Sequence, residues 1–132
     1  MNASYGPNGG LPTYHLDAAV AGEAVTTRWD PCPYSPIHED DINAQVEALL
    51  DAAAVPARIV NWAGDDVVTV QEWCAYFQDL LGRPVPINIV TPPGTSHGNI
   101  GDVTVRRSIT GPCQVGWKDG LRQTYELRYG ER

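Results

Sequence analysis

Two stretches of this 132-residue chain carry side chains able to move protons. His38-Glu39-Asp40-Asp41 sets an imidazole beside three carboxylates, a grouping that could relay protons near neutral pH. The same residues stand where an apolar periodicity begins, at Ile42, so their plainer role is to end a strand and cap a helix. His97 lies in a Gly/Pro-rich stretch, Thr91–Gly101 (TPPGTSHGNIG), the kind of loop that often forms a binding surface. The candidate acid/base residues are therefore His38, Asp40 and His97. The histidines, His15, His38 and His97, have no ligand-like spacing. Cys32, Cys74 and Cys113 lie about forty residues apart with no C-x-x-C pair, so neither a metal site nor a disulfide framework is expected.

Other residues could hold a ligand without reacting with it. Trp29, Tyr34 and Trp117 sit next to turns, where an amphipathic ring suits a pocket mouth, whereas Trp62, Trp73 and Phe77 fall at core spacing. Arg106-Arg107 could bind an anion, but adjacent helical arginines usually divide between solvent and a neighbouring carboxylate. Asn8-Gly9-Gly10 could cradle a phosphate, although the helix N-terminus of a βαβ unit that such a cradle needs is not evident.

Composition narrows the partners. The formal charge is -7, with a single lysine, so no basic face is available for nucleic acid or anionic lipid. No apolar run approaches the roughly 20 residues of a membrane span, and the N-terminus lacks the pattern of a signal peptide. A cytoplasmic location and one domain over residues 1–132 are expected.

The elements that must position these residues alternate between helix and short strand, an α/β or α+β pattern with about three strands and four helices. The central one is Asn61–Gly82. Arg58–Trp62 (RIVNW) reads as a buried strand, Thr69-Val70-Gln71-Glu72 as a capping box, and Trp73, Phe77, Leu80 and Leu81 as one helical face closed by Gly82. Before it come a loop over Met1–Pro12, a helix over Thr13–Ala21 stopped by Gly22, and a strand over Ala24–Trp29. A long helix follows, with Glu39-Asp40-Asp41 at its positive end and Ile42, Val46, Leu49, Leu50 and Ala53 as its buried face. After it come a strand over Val85–Val90 interrupted by Pro86, a short helix capped by Asp102 through Ile109, and a last helix over Trp117–Arg128.

Four stretches together resemble the C-terminal, substrate-binding part of the extended short-chain dehydrogenase/reductases, the NAD-dependent epimerase/dehydratase family. Ser4-Tyr5-Gly6-Pro7 looks like the Y-G-P turn after the sixth strand of that family's cofactor domain. Ile37–Ile42 is similar to its strand that delivers an aspartate to a helix start. Asn61-Trp62-Ala63-Gly64, Val68–Trp73 and Leu80-Leu81-Gly82 resemble its "N-x-x-G, capped helix, L-G" run. Asp102, Gly111, Trp117, Asp119-Gly120-Leu121 and Thr124 resemble its closing pattern.

The resemblance implies a substrate domain, with residues 1–12 as the remnant of a cofactor-domain junction. The family's G-x-x-G-x-x-G fingerprint and its Tyr-x-x-x-Lys pair occur nowhere in this sequence, so the chain alone is expected to bind no NAD(P) and to transfer no hydride. Where the family places two diphosphate-gripping arginines stand Tyr34 and Asn99, and its Asn two residues before Y-G-P is Ala3, which implies a small non-nucleotide ligand. Tyr5, Tyr34, His38, His97, Asn99 and Trp117 are the implied ligand contacts. The implied partner is a Rossmann-type chain, or a second copy, covering an apolar face formed by Met1–Pro12 and the helix starting near Asp41. The alternative is a self-contained, cofactor-free cyclase, isomerase or dehydratase, with its pocket between the 91–101 loop and residues 34–41.

Overall fold

The computed structural model describes residues 1–130. In chain order these form β1 (Ser4–Tyr5), α1 (Leu11–Val20), β2 (Val25–Thr27), β3 (Pro33–Tyr34), β4 (Ile37–His38), α2 (Glu39–Asp51), β5 (Val68–Thr69), α3 (Val70–Leu81), β6 (Ile87–Ile89), α4 (Thr104–Thr110) and α5 (Trp117–Tyr129). Mixed α/β character follows, with more and shorter strands than the sequence suggests. They pair two by two: β1 with β4 and β2 with β6 in parallel, β3 with β5 antiparallel.

α3 is the centre of the core. Thr69 Oγ1 accepts the Glu72 amide at 3.0 Å while the Glu72 carboxylate accepts the Thr69 amide at 3.1 Å, so the capping box is complete. Gly82 ends the helix in the left-handed region at φ 65°, where a side chain would be strained. Trp73 and Phe77 are fully buried between α1 and α5, against Leu16 and Leu121 among others. Arg83 closes the C-terminal end of α1 by donating to the carbonyls of Ala19 and Val20 at 3.0 and 2.6 Å.

Several expected elements differ. Arg58–Trp62 is not a strand and is not buried: Ile59 is 90% exposed. Among the described residues, no backbone group from Ala57 to Asn61 bonds another backbone group, and the first to do so is the Trp62 carbonyl, which accepts the Asn2 amide at 3.0 Å. A strand needs a neighbour, and β1 offers only two residues, preceded by Ala3 at φ 35°. The 85–90 strand shrinks to β6, outside whose ladder Pro86 stands. Asp102 is not the N-cap of α4, which is Val103, yet its Oδ1 accepts the amide and hydroxyl of Thr104 at 3.0 and 2.7 Å.

The largest departure is the orientation of α2. Asp41 and Gln45 point inward, while Leu50 is 69% exposed, Val46 is exposed and Ile42 and Leu49 are half-buried. Asp41 is held by a loop: its carboxylate oxygens accept the amides of Gln114 at 2.7 Å and Val115 at 3.1 Å. Gln45 accepts from Trp62 Nε1 at 2.9 Å and faces Cys113 Sγ at 3.5 Å. Satisfied polar groups have taken the inner position expected of the apolar ones. In Met1–Pro12, Asn2, Tyr5, Gly6 and Pro12 are buried, while Met1 and Asn8 are exposed.

Candidate functional site

A groove of about 420 Å³ lies between the Trp29–Pro33 turn and residues 97–100. Each wall is fixed by side chains from elsewhere. Gln71, inside the capping box of α3, accepts the Cys32 amide at 3.0 Å and donates to the Trp29 carbonyl at 2.9 Å, pinning both ends of the turn. The opposite wall is tied down by Asn99, whose amide donates to the Pro33 carbonyl at 2.8 Å and whose carbonyl accepts from Asn2 Nδ2 at 2.6 Å. Gly98 makes that approach possible, because a Cβ there would lie 2.5 Å from the Pro33 carbonyl oxygen. The Trp29 and His97 rings stack face to face, centroids 3.8 Å apart and planes 1° from parallel. Among the described residues, no lysine or arginine lines the groove. A narrower cleft of about 160 Å³, bounded by Asn2, Asn61 and Trp62, shares Asn99 and Ile100 with it.

The six residues expected to contact a ligand fall into two groups. His97 and Asn99 line the groove. Tyr34 joins them through its backbone alone, in a parallel bridge to Asn99, while its ring stacks on Trp73 with centroids 5.9 Å apart. Burial raises the Tyr34 phenol above its ordinary range, and Arg28 works against that rise. Tyr5, His38 and Trp117 form the other group: the Tyr5 and His38 rings meet edge to face at 5.1 Å, and the Tyr5 hydroxyl donates to the Trp117 carbonyl at 3.4 Å. Burial, then the Asp41 charge, pushes the Tyr5 phenol well above its normal range. Trp117 also borders a cleft of about 180 Å³ with Asp41 and Cys113.

Of the candidate acid/base residues, His38 and Asp40 are brought together, with Asp40 Oδ2 3.6 Å from His38 Nδ1, while His97 lies in the groove apart from them. His38 is buried as the N-cap of α2, its Nδ1 accepting the Asp40 amide at 3.1 Å, and its Nε2 has no partner among the described residues. The Asp40 side chain is in solvent. His97 is in the groove, which is walled by residues 29–33 and not by 34–41 as the sequence suggests. Gly9 and Gly10 are tightly placed, since a Cβ on Gly10 would lie 1.9 Å from the Ser4 carbonyl oxygen and one on Gly9 would meet the Tyr14 hydroxyl at 2.8 Å. Their turn borders a cleft of about 230 Å³ with Asn8, Tyr14 and Glu39. Among the described residues, no group of three or more His, Cys, Asp or Glu side chains could hold a metal.

A polar cluster lies beneath the Trp117 cleft, and sequence reasoning anticipates only its arginine. Arg106 is fully buried and pairs with Asp65, and it donates to the Gly111 carbonyl at 2.8 Å, while Arg107 is exposed. Asp65 also accepts the Cys113 amide at 2.7 Å. Burial acts to raise the Asp65 carboxyl, but the Cys113 amide and the Arg106 guanidinium outweigh it and hold it below the usual carboxylate range. The cluster orders the Gly111–Gly116 loop; Arg106-Arg107 divide between a carboxylate and solvent as the sequence suggests, whereas the inward turn of Asp41 and Gln45 is not anticipated.

No family model and no curated protein matches the sequence. Solved structures do. UDP-glucuronic acid 4-epimerase from Bacillus cereus, in complex with UDP-glucuronic acid and NAD, superposes with a TM-score of 0.80 at 16% identity, over 96% of this chain and 43% of that one. UDP-glucose 4-epimerase from Thermus thermophilus, with NAD, gives 0.78 at 17% identity, over 99% and 45%. dTDP-glucose 4,6-dehydratase from Bacillus anthracis str. Ames, with NAD, gives 0.75 at 20% identity, over 97% and 43%. The chain spans less than half the length of each of these proteins, and among its described residues no helix is long and apolar enough to cross a membrane. It has the fold of part of these epimerases and this dehydratase, in keeping with the resemblance read from the sequence.

Proposed function

We propose that this chain is the substrate-recognition part of an epimerase/dehydratase-like reductase. It takes a small, uncharged or weakly polar, non-nucleotide organic molecule into the Trp29–His97 groove, and NAD(P) and the Tyr-Lys pair for hydride transfer come from another chain or segment. One observation carries the reading: Tyr34 and Asn99, which stand where the resemblance places two phosphate-gripping arginines, are neighbours in space, and neither supplies a cation. A diphosphate desolvated there would lack both bidentate partners. What the groove offers instead is a stacked indole and imidazole, prolines and Ile100, with amide groups of Asn99 at its floor, a lining suited to a flat or weakly polar ligand. The cofactor-free alternative draws less support, because His38 is sealed as a helix cap and shares no cavity with His97.

The test is a titration followed by side-chain NMR of Trp29 and His97 with UDP-glucose, NAD and neutral aromatic compounds in turn. Saturable shifts with a neutral compound, lost in Trp29→Ala, together with none from UDP-glucose, are expected. Saturation by UDP-glucose at the same rings would sink the proposal. Turnover of any substrate that falls in His38→Asn and His97→Ala alike would revive the cofactor-free alternative.

A further inference from the structure

The two stacked rings of the groove are held unequally. Trp29 sits on a turn that Gln71 grips at both ends, through the Trp29 carbonyl at 2.9 Å and the Cys32 amide at 3.0 Å. His97 sits on a strap that is fastened only where it starts and stops. At one end the Val90 amide donates to the Thr27 carbonyl at 2.8 Å and the Thr91 hydroxyl to the Arg28 carbonyl. At the other the Asn99 amide donates to the Pro33 carbonyl at 2.8 Å. Between Pro92 and Gly98 the hydrogen bonds among the described residues are local, from the Thr95 amide and hydroxyl to the Pro92 carbonyl at 3.2 and 2.7 Å. Gly94 at φ 78° and Gly98 at φ 153° flank the histidine, in backbone conformations that glycine reaches at little cost. What holds the tip of the strap to the opposite wall is the stack itself, an imidazole flat on an indole at 3.8 Å.

We propose that His97 is a displaceable latch: an aromatic ring of the ligand takes the indole face of Trp29 from the imidazole, and the strap swings outward about Gly94 and Gly98. The latch rests on the reading of the groove given above and names its substrate class, a neutral molecule carrying a planar aromatic ring. Two rings in face contact leave no slot between them, so a flat ligand must replace one ring or part the pair. Trp29 is the harder ring to move, since Gln71 fixes its backbone and its neighbours are Arg28 and Asp30 rather than glycines. Parting the pair would carry His97 straight back by the thickness of a ring, yet two residues on Asn99 is bonded to both Pro33 and Asn2. A swing about the glycines asks for neither. The exchange favours an aromatic ring larger than imidazole, which covers more of the indole. A puckered saturated ring of the same polarity makes poorer face contact and leaves the latch shut. The latch also lowers the apparent affinity, because only molecules with His97 swung out accept the ring.

Side-chain NMR of the full chain tests it, with phenol and its saturated counterpart cyclohexanol as probes. In the free chain the His97 ring protons should resonate upfield, shielded by the Trp29 indole, and return to ordinary positions in Trp29→Ala. Saturating phenol should do the same to wild-type His97 while shifting the Trp29 ring protons, and cyclohexanol should do neither. His97 is exposed, so its variants keep the fold. His97→Ala removes the competing ring, so it should bind phenol roughly two- to tenfold more tightly, whereas His97→Trp, a larger latch, should bind it more weakly than wild type. A His97 unshielded in the free chain overturns the latch. So does phenol that binds at Trp29 with His97 still shielded, or that binds more weakly in His97→Ala, and either result leaves the reading of the groove standing. Phenol that fails to shift Trp29 in both wild type and His97→Ala overturns the latch and that reading together.

Discussion

α2 and α3 are both amphipathic helices with a side-chain N-cap, and the fold treats them in opposite ways. α3 buries Trp73 and Phe77 completely. α2 turns Asp41 and Gln45 inward and leaves Leu50 in solvent. Periodicity identifies residues that share a face, but which face packs depends on what the rest of the chain brings to it. α3 meets the apolar sides of α1 and α5. α2 meets the Gly111–Gly116 loop, whose amides need acceptors, and carboxylate and amide side chains provide them.

The contrast is broken most directly by truncating one apolar residue on each helix. Phe77→Ala should lower stability by about 3–5 kcal/mol, the range for removing a buried aromatic side chain. Leu50→Ala should change stability by less than about 0.5 kcal/mol, since its side chain leaves little water behind on folding. Chemical denaturation of the two variants measures both. Equal losses would mean that α2 packs in solution by its apolar face.

Acid should separate the helices too. Burial pushes the His15 imidazole down to about 4 from 6.5, and its Nδ1 accepts the indole N–H of Trp73 in α3 at 3.1 Å. Below pH 6.5 the unfolded chain takes up a proton that the folded chain refuses, so stability falls as pH drops from about 6.5 to about 4 and levels off beneath that. The loss should reach roughly 3 kcal/mol by pH 4. His15→Gln, which keeps an acceptor for Trp73 without a titrating ring, should flatten the profile over that interval. Asp65 acts in a lower window, because its depressed carboxyl contributes stability that is lost only as pH falls below 3.8 and through its folded value. Denaturation midpoints between pH 7 and pH 4 that do not differ between wild type and His15→Gln would remove the burial account.

On α2 the corresponding weak point is polar. Asp41→Ala removes the buried carboxylate that accepts the amides of Gln114 and Val115, at a cost of about 1.5–3 kcal/mol, the range for hydrogen bonds to a charged group. The damage should be local. Hydrogen exchange at Gln114 and Val115 should quicken well before global unfolding, while amides of α3 keep their protection. If α3 loosens in step, the loop is not an independent ligand of Asp41.

Legibility in the sequence follows the same division. α3, its capping box, Gly82 and the buried Trp73 and Phe77 are readable because local propensity, capping and periodicity agree there. Arg58–Trp62 has the residues of a strand, but pairing depends on a distant partner, and none is present within the described chain. Tyr34 and Asn99 stand out through the resemblance, and they do lie side by side, yet the Tyr34 ring faces Trp73. Trp29 reads only as an aromatic near a turn. Its stacking on His97 depends on Gln71, and no spacing in the sequence announces that a helical glutamine will hold a turn some forty residues upstream.

The smallest effect isolates the one device the two helices share. Thr69 and His38 each accept an amide at the start of a helix, at 3.0 and 3.1 Å. Thr69→Ala removes one half of a reciprocal box on an exposed helix end, so it should cost about 1 kcal/mol, and Thr69→Ser should recover most of it. Unfolding curves for the two variants measure the difference. A loss well above about 1 kcal/mol would show that Thr69 matters through its pairing with Pro33 in the β3–β5 ladder as well as through its hydroxyl, since β5 ends where α3 begins. Thr69→Ser distinguishes the two, because it keeps the hydroxyl while giving up the β-branched methyl that favours a strand.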